Sequence, residues 1–249
     1  MRYSRAVPNH LLMLDLKIVK AITLDLDDTL WPVWPTIERA EKALGSWLDT
    51  HAPMTAALFA NPAARDDIRA YVLRTRPELK HNFSAVRREA IRLALYRSKE
   101  DPLMADEAFE VFFAERNRVT LFDDALPALA FLSSRFPVVA LSNGNADVHR
   151  VGVGGYFAAS ISAQEFGSGK PDPRIFHAAA GAVNVPVENV LHIGDDAALD
   201  VLGALNAGMQ TAWLTRAGEP WPHDNQPHIT VTDLTQLCDY LGMAEETTA

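Results

Sequence analysis

The run Ala21-Ile22-Thr23-Leu24-Asp25-Leu26-Asp27-Asp28-Thr29-Leu30 sets the tightest limit on what this chain can become. Its first half is apolar or β-branched on both alternating faces, the pattern of a strand buried from both sides in a parallel sheet. The strand, read over Ala21 to Leu26, then meets three carboxylates, Asp25, Asp27 and Asp28. Like charges so close disfavour one another's ionised form, and a hard cation with oxygen ligands relieves the conflict. The run predicts a metal site and a carboxylate nucleophile at the C-terminal end of a central strand.

Downstream the texture changes twice. From Thr36 to about Phe122, apolar residues recur at helical spacing, as in Ile37, Ala40, Leu44, Trp47 and Leu48, then Ile68, Val72 and Leu73, then Val86, Ala90, Leu93 and Leu95, then Phe109, Phe112 and Phe113. Strand signals are nearly absent there, so this stretch reads as an all-helical insertion. After Phe122 strands and helices alternate. Helices are predicted over Leu126–Phe136, Pro173–Val183, Ala197–Ala207 and Leu234–Leu241, with strands at Val138–Leu141, Ala158–Ser162, Val190–Ile193, Gln210–Leu214 and, as an edge, Ile229–Val231. Such alternation implies an α/β fold with a doubly wound, mostly parallel sheet. The expected division is a core from 1–30 and 123–249 around a helical unit from 31–122. Met1 to Val19 reads as an irregular lead-in, and the tail from Glu245 is expected to fray.

Active sites of such sheets lie outside the carboxyl ends of the strands. Four polar clusters fall at strand ends or in the loops they lead into: Asp25-Leu26-Asp27-Asp28-Thr29, Ser142-Asn143-Gly144-Asn145, Ser168-Gly169-Lys170-Pro171 and Gly194-Asp195-Asp196. Each alone has a structural reading as a turn, a helix cap or a solvated lysine; their convergence on one edge is what points to chemistry. Asp25 suits a nucleophile that attacks phosphorus. Asp27 suits the acid that protonates the leaving oxygen and then the base that activates water. Asp195, with Asp25 and the backbone carbonyl of Asp27, offers oxygen ligands of the kind magnesium takes, with Asp196 and Asp200 in support. Ser142 and Lys170 suit phosphoryl oxygens.

In this order the clusters resemble the four motifs of the haloacid dehalogenase-like hydrolase superfamily. The resemblance runs from about Val19 to Leu241. It implies the roles above, with Thr29 and Asn143 as further substrate-binding residues, Mg2+ as cofactor, and the insertion as a helical cap that closes over the site. Narrower similarity, in Ser142-Asn143-Gly144-Asn145-Ala146, His192-Ile193-Gly194-Asp195-Asp196 and Gly208-Met209-Gln210-Thr211-Ala212-Trp213, is to bacterial phosphatases acting on the phosphorylated ribitylamino-uracil intermediate of riboflavin synthesis and on flavin mononucleotide. The expected activity is phosphate-ester hydrolysis of a small phosphorylated metabolite through an aspartyl-phosphate. True 2-haloacid dehalogenases lack the acid/base aspartate two positions after the nucleophile, so Asp27 argues against dehalogenation. A phosphosugar mutase, or a non-catalytic protein binding phosphate ligands on the same fold, remains open. Phosphonate-cleaving relatives need a cap lysine, and Lys42 is the candidate by position.

The remaining signals narrow the setting. A net charge of -9 without a basic block leaves no footprint for nucleic acid. No apolar run has the length of a membrane span, and the lone Cys238 reads as a packing residue, so a cytoplasmic protein is expected. Trp31 and Trp34 either stack on a planar substrate ring or anchor the first insertion helix. Asn145 either positions substrate or forms the turn, and Arg87, Arg88 and Arg174 read as helix-surface residues.

Overall fold

The computed structural model describes residues 13–246. The central strand β1 (Ala21–Leu24) is followed by five helices: α1 (Val33–His51), α2 (Pro53–Phe59), α3 (Pro62–Thr75), α4 (Phe83–Arg97) and α5 (Ala105–Arg116). Then come α6 (Ala125–Ser133), β2 (Val138–Ser142), α7 (Val148–Val151), β3 (Ala159–Ser162), α8 (Ala163–Phe166), α9 (Pro173–Ala182) and β4 (Val190–Gly194). The last elements are α10 (Gly203–Ala207), β5 (Gln210–Leu214), β6 (Ile229–Val231) and α11 (Leu234–Glu246). The predicted helix at Ala197–Ala207 divides, its first part (Ala197–Leu202) winding as wide π-type turns. The lead-in is described only from Met13, and Asp15 pins it to β5 through hydrogen bonds with the Gln210 side chain of 2.7 and 3.0 Å.

All six strands form one sheet in the order β3-β2-β1-β4-β5-β6, and every pairing is parallel. β1 lies in the middle because its residues are buried on both faces: Ile22 and Leu24 face one core and Ala21 the other. The first core adds Leu129 and Leu132 of α6 and Leu234 and Leu237 of α11. The second adds Ile175, Phe176 and Ala179 of α9 with Ala204 and Ala207 of α10. Helices on both faces are what a parallel sheet requires, since both its surfaces are apolar. Cys238 packs at the margin of the first core, and burial pushes its thiol up to about 11, where it stays protonated.

Between β1 and β2 the described chain forms helices and no strand. Ala40, Leu44 and Leu48 of α1 pack with Ile91 and Leu95 of α4 and Phe109 and Phe112 of α5 in a third apolar cluster. Helix α2 goes beyond the expected set: its seven residues are too short to show a period, and it is fixed instead by Glu100, which accepts hydrogen bonds from the backbone and hydroxyl of Thr55 at 2.8 and 2.6 Å.

Ile22 is fully buried in the middle of the sheet. We expect Ile22→Ala to cost about 2–5 kcal/mol, read as a lower urea midpoint with an unchanged slope.

Candidate active site

The sheet grows away from β1 in two directions, through β2 and β3 on one side and β4 to β6 on the other. The crevice between β1 and β4 is therefore the switch point where a doubly wound sheet leaves room for a ligand. Asp25 directly follows β1 and Asp195 directly follows β4. Parallel pairing puts both at the same edge of the sheet, with Ser142 at the end of β2.

One ammonium joins two carboxylates there. Lys170 Nζ donates to Asp25 Oδ1 and, at 2.5 Å, to Asp200 Oδ1. All three side chains are almost wholly buried. Asp200 also accepts from His192 Nε2 at 3.1 Å and from the Asp196 backbone N–H at 3.0 Å. His192 Nδ1 faces the Thr23 hydroxyl at 2.8 Å, and burial holds the ring below the ordinary histidine range, hence neutral. Burial works against ionisation of Asp200, but Lys170 outweighs it and keeps the carboxyl well below the usual range. Burial also opposes the charge of Lys170, yet Asp200 and Asp25 hold the ammonium protonated. Asp25 is driven the other way: burial raises it, Lys170 opposes, and Asp200 and Asp195 add repulsion.

One oxygen from each of Asp25, Asp195 and Asp200 lies within 4.8 Å of the others. Three carboxylates against one ammonium leave a deficit that a divalent cation matches, and an all-oxygen donor set suits a hard one. Asp200 has its oxygens committed to Lys170, His192 and the Asp196 backbone, which leaves Asp25 and Asp195 as the side chains best able to take the cation. Thr29 is fully buried between them, its hydroxyl 3.1 Å from Asp195 Oδ1 and 3.4 Å from Asp25 Oδ2. Trp213 Nε1 holds the Asp195 carbonyl at 2.8 Å.

Asp27 stands in a second network. Its Oδ1 accepts from Trp31 Nε1 at 2.8 Å, and both its oxygens accept from Arg116 Nη2, at 2.8 and 2.6 Å. Gly144 passes so close that a Cβ there would overlap Asp27 Oδ2 and lie 3.1 Å from Ser142 Oγ. The Ser142 loop and Asp27 thus touch only because residue 144 has no side chain. Ser142 Oγ accepts from the Gly144 backbone at 2.9 Å, so its own proton is free to be donated.

Several expected residues have different surroundings from those read in the sequence. Thr29 has no exposed surface to offer a substrate; it links the two carboxylates instead. Asn143 clasps the next loop, donating to the Lys170 carbonyl at 2.8 Å and accepting from the Lys170 N–H at 2.7 Å. Asp196 is exposed and caps the following turns through the Ala198 and Leu199 N–H groups, so its support of the site comes from its backbone. The carboxylate of Asp27 is occupied by Arg116 and Trp31. Trp31 is fully buried, whereas Trp34 is exposed. Lys42 lies exposed on α1. Arg116, His192 and Asn145 join these networks, and of the three the sequence suggested a role only for Asn145. Arg116 closes a helix, where arginine ordinarily faces solvent.

A cavity of about 410 Å³ opens among α1, α3 and α4, lined by Trp34, Phe59, Phe83, Arg87, Phe112 and Asn145, among others. Arg87 lies over the Phe112 ring at 3.7 Å and is paired with Glu41 at 2.6 Å.

The chain is similar to known proteins in sequence and fold. The haloacid dehalogenase-like hydrolase family matches residues 19–208. The 5-amino-6-(5-phospho-D-ribitylamino)uracil phosphatase YigB of Escherichia coli K12 is 30% identical over 227 residues, 88% of this chain and 94% of that protein. The phosphoserine phosphatase of Thermus thermophilus is 34% identical over 157 residues, 61% of this chain and 63% of that protein. A crystal structure described as a 2-haloacid dehalogenase from Pseudomonas syringae pv. Tomato DC3000 superposes with a TM-score of 0.87 at 37% identity, covering 91% of this chain and 99% of that one.

Without a cation, burial first and then Asp200 push the Asp195 carboxyl from 3.8 up to about 7. A folded-state value above the unfolded one favours folding at low pH, and that contribution is lost as pH rises through the folded value. In chelator the melting temperature is expected to carry a penalty that grows from pH 3.8 to about 7. An added divalent cation is expected to raise it strongly at about pH 8 and little at about pH 5, because protons and cation compete for the same oxygens. Equal gains at both pH values would place the cation elsewhere.

Proposed function

This chain belongs to the haloacid dehalogenase-like hydrolase family, and we propose that it is a magnesium-dependent phosphatase that passes the phosphoryl group through Asp25. The observation that carries this reading is the buried Asp25 carboxylate at the switch point, gripped by Lys170, beside a second aspartate, Asp27.

Asp25 attacks phosphorus, a P–O bond forms to its carboxylate, and the bond to the leaving oxygen breaks. Asp27 delivers a proton to that oxygen. In the second half Asp27 takes a proton from water, water oxygen bonds to phosphorus, and the Asp25–phosphorus bond breaks to release phosphate. Lys170 uses two of its three N–H groups on Asp25 and Asp200 and keeps the third for a phosphoryl oxygen. Ser142 donates its hydroxyl to another. Asp25, Asp195 and the Asp27 carbonyl are the ligands we assign to Mg2+, whose chemistry is to offset charge building on the phosphoryl oxygens.

The insertion, residues 31–122, is read as a cap whose cavity takes the leaving group. The exposed Trp34 and Phe83 on its lining suit a planar ring. With the likeness to YigB, this supports a riboflavin-pathway intermediate or flavin mononucleotide as substrate. A cytoplasmic setting fits an acidic chain with one cysteine.

The dehalogenase-described structure at 37% identity makes carbon–halogen hydrolysis the second reading, and Asp27 favours the phosphatase. The two separate cleanly. p-Nitrophenyl phosphate should be turned over with Mg2+ and not in chelator, with no chloride released from 2-chloropropionate. Asp25→Asn should abolish detectable turnover. Asp27→Asn should lower kcat by about 10²–10⁴ on an alkyl phosphate. Chloride release without phosphate release would reverse the assignment.

A further inference from the structure

Arg116 is 1% exposed, yet it sits at the end of α5 in the insertion while its partner Asp27 follows the central strand of the sheet. Its Nη2 serves both oxygens of Asp27, and its Nε donates to Asn145 Oδ1 at 3.1 Å. Asn145 in turn donates to Ser84 Oγ of α4 at 3.2 Å and forms part of the cavity lining. Arg116 Nη1 is buried with no hydrogen-bond partner among the described residues.

A buried ion pair seldom adds net stability over well-packed apolar side chains, and an unused buried donor costs further. Stability is therefore a poor account of Arg116. Its connections give a better one. A single residue, Arg116, links a residue lining the cavity to the Asp27 carboxylate. Arg116 and Trp31 together occupy both Asp27 oxygens, so how these donors sit fixes where that carboxyl points. Asn145 itself lies after β2, and both its side-chain partners, Arg116 at the end of α5 and Ser84 of α4, belong to the insertion.

We propose that Arg116 is a positioning residue that aims Asp27 and makes its aim depend on what fills the cavity beside Asn145. The proposal rests on the phosphatase reading. It assigns to a residue outside the four clusters the matching of proton delivery to the leaving group.

The test uses two esters and the specificity constant kcat/KM, which reports events up to the first phosphoryl transfer. p-Nitrophenyl phosphate has a leaving group that departs with little help from an acid. Flavin mononucleotide is an alkyl phosphate that needs the proton and carries a ring to fill the cavity. We expect Arg116→Met to lower the ratio of kcat/KM for flavin mononucleotide over p-nitrophenyl phosphate at least about tenfold, within the range general acid catalysis supplies. Arg116→Lys, which keeps the charge and loses the fork, should fall between. Asn145→Ala, which leaves the Arg116–Asp27 pair in place, should shrink the wild-type advantage of flavin mononucleotide over glycerol phosphate. Equal losses on both esters in the Arg116 variants, or an unchanged ratio, would overturn the proposal and leave Arg116 a structural residue. If Arg116→Met does not fold, the lysine and Asn145 variants decide. Absence of turnover of any ester by the wild-type protein would instead defeat the phosphatase reading.

Discussion

Everything at the switch point depends on how one ammonium is shared between two carboxylates beside a third. Lys170 reaches Asp25 and Asp200 at once, and Asp195 is left to bear the unbalanced charge. Remove Lys170 and the burial of Asp25 and Asp200 becomes untenable, because an unpaired buried charge is among the most costly things a fold can hold. The arrangement also explains why the neighbouring strand carries a histidine: His192 gives Asp200 a further donor without adding a second charge.

The two networks around the site are electrically distinct. Asp27 is matched by Arg116, one charge to one charge, and needs no cation. The Asp25 group sets three carboxylates against one ammonium and could take a cation. Two aspartates separated by a single residue thus meet opposite electrostatic surroundings, which is how one loop can present two carboxylates for different work.

Much of this was legible in the sequence because it is local. An apolar run ending in aspartates marks β1 and its tip, and the same pattern marks β4. The strand over Gln210–Leu214 and the edge at Ile229–Val231 match the expected bounds. What was not legible is what depends on distant partners. Arg116 meets Asp27 from 89 positions away, and nothing in Ala-Glu-Arg-Asn distinguishes it from a solvent-facing helix end. Trp31 and Trp34 read alike, yet helix α1 begins between them and turns one inward and the other out. Asp196 has the spacing of a supporting carboxylate, but a helix start stood close enough to claim it as a cap. Thr29 lies on the loop that carries the acids, and only the packing of β4 against β1 turns its hydroxyl toward Asp195.

The Asn143 clasp has a consequence for how a ligand is received. Its paired hydrogen bonds fasten the Lys170 backbone to the end of β2, and the ammonium is already buried against Asp25 and Asp200. The water that would surround such an ion was shed when the chain folded. On the phosphatase reading, an arriving anion would meet a dry cation at a fixed point, and the work of stripping and aiming that charge would belong to folding rather than to binding.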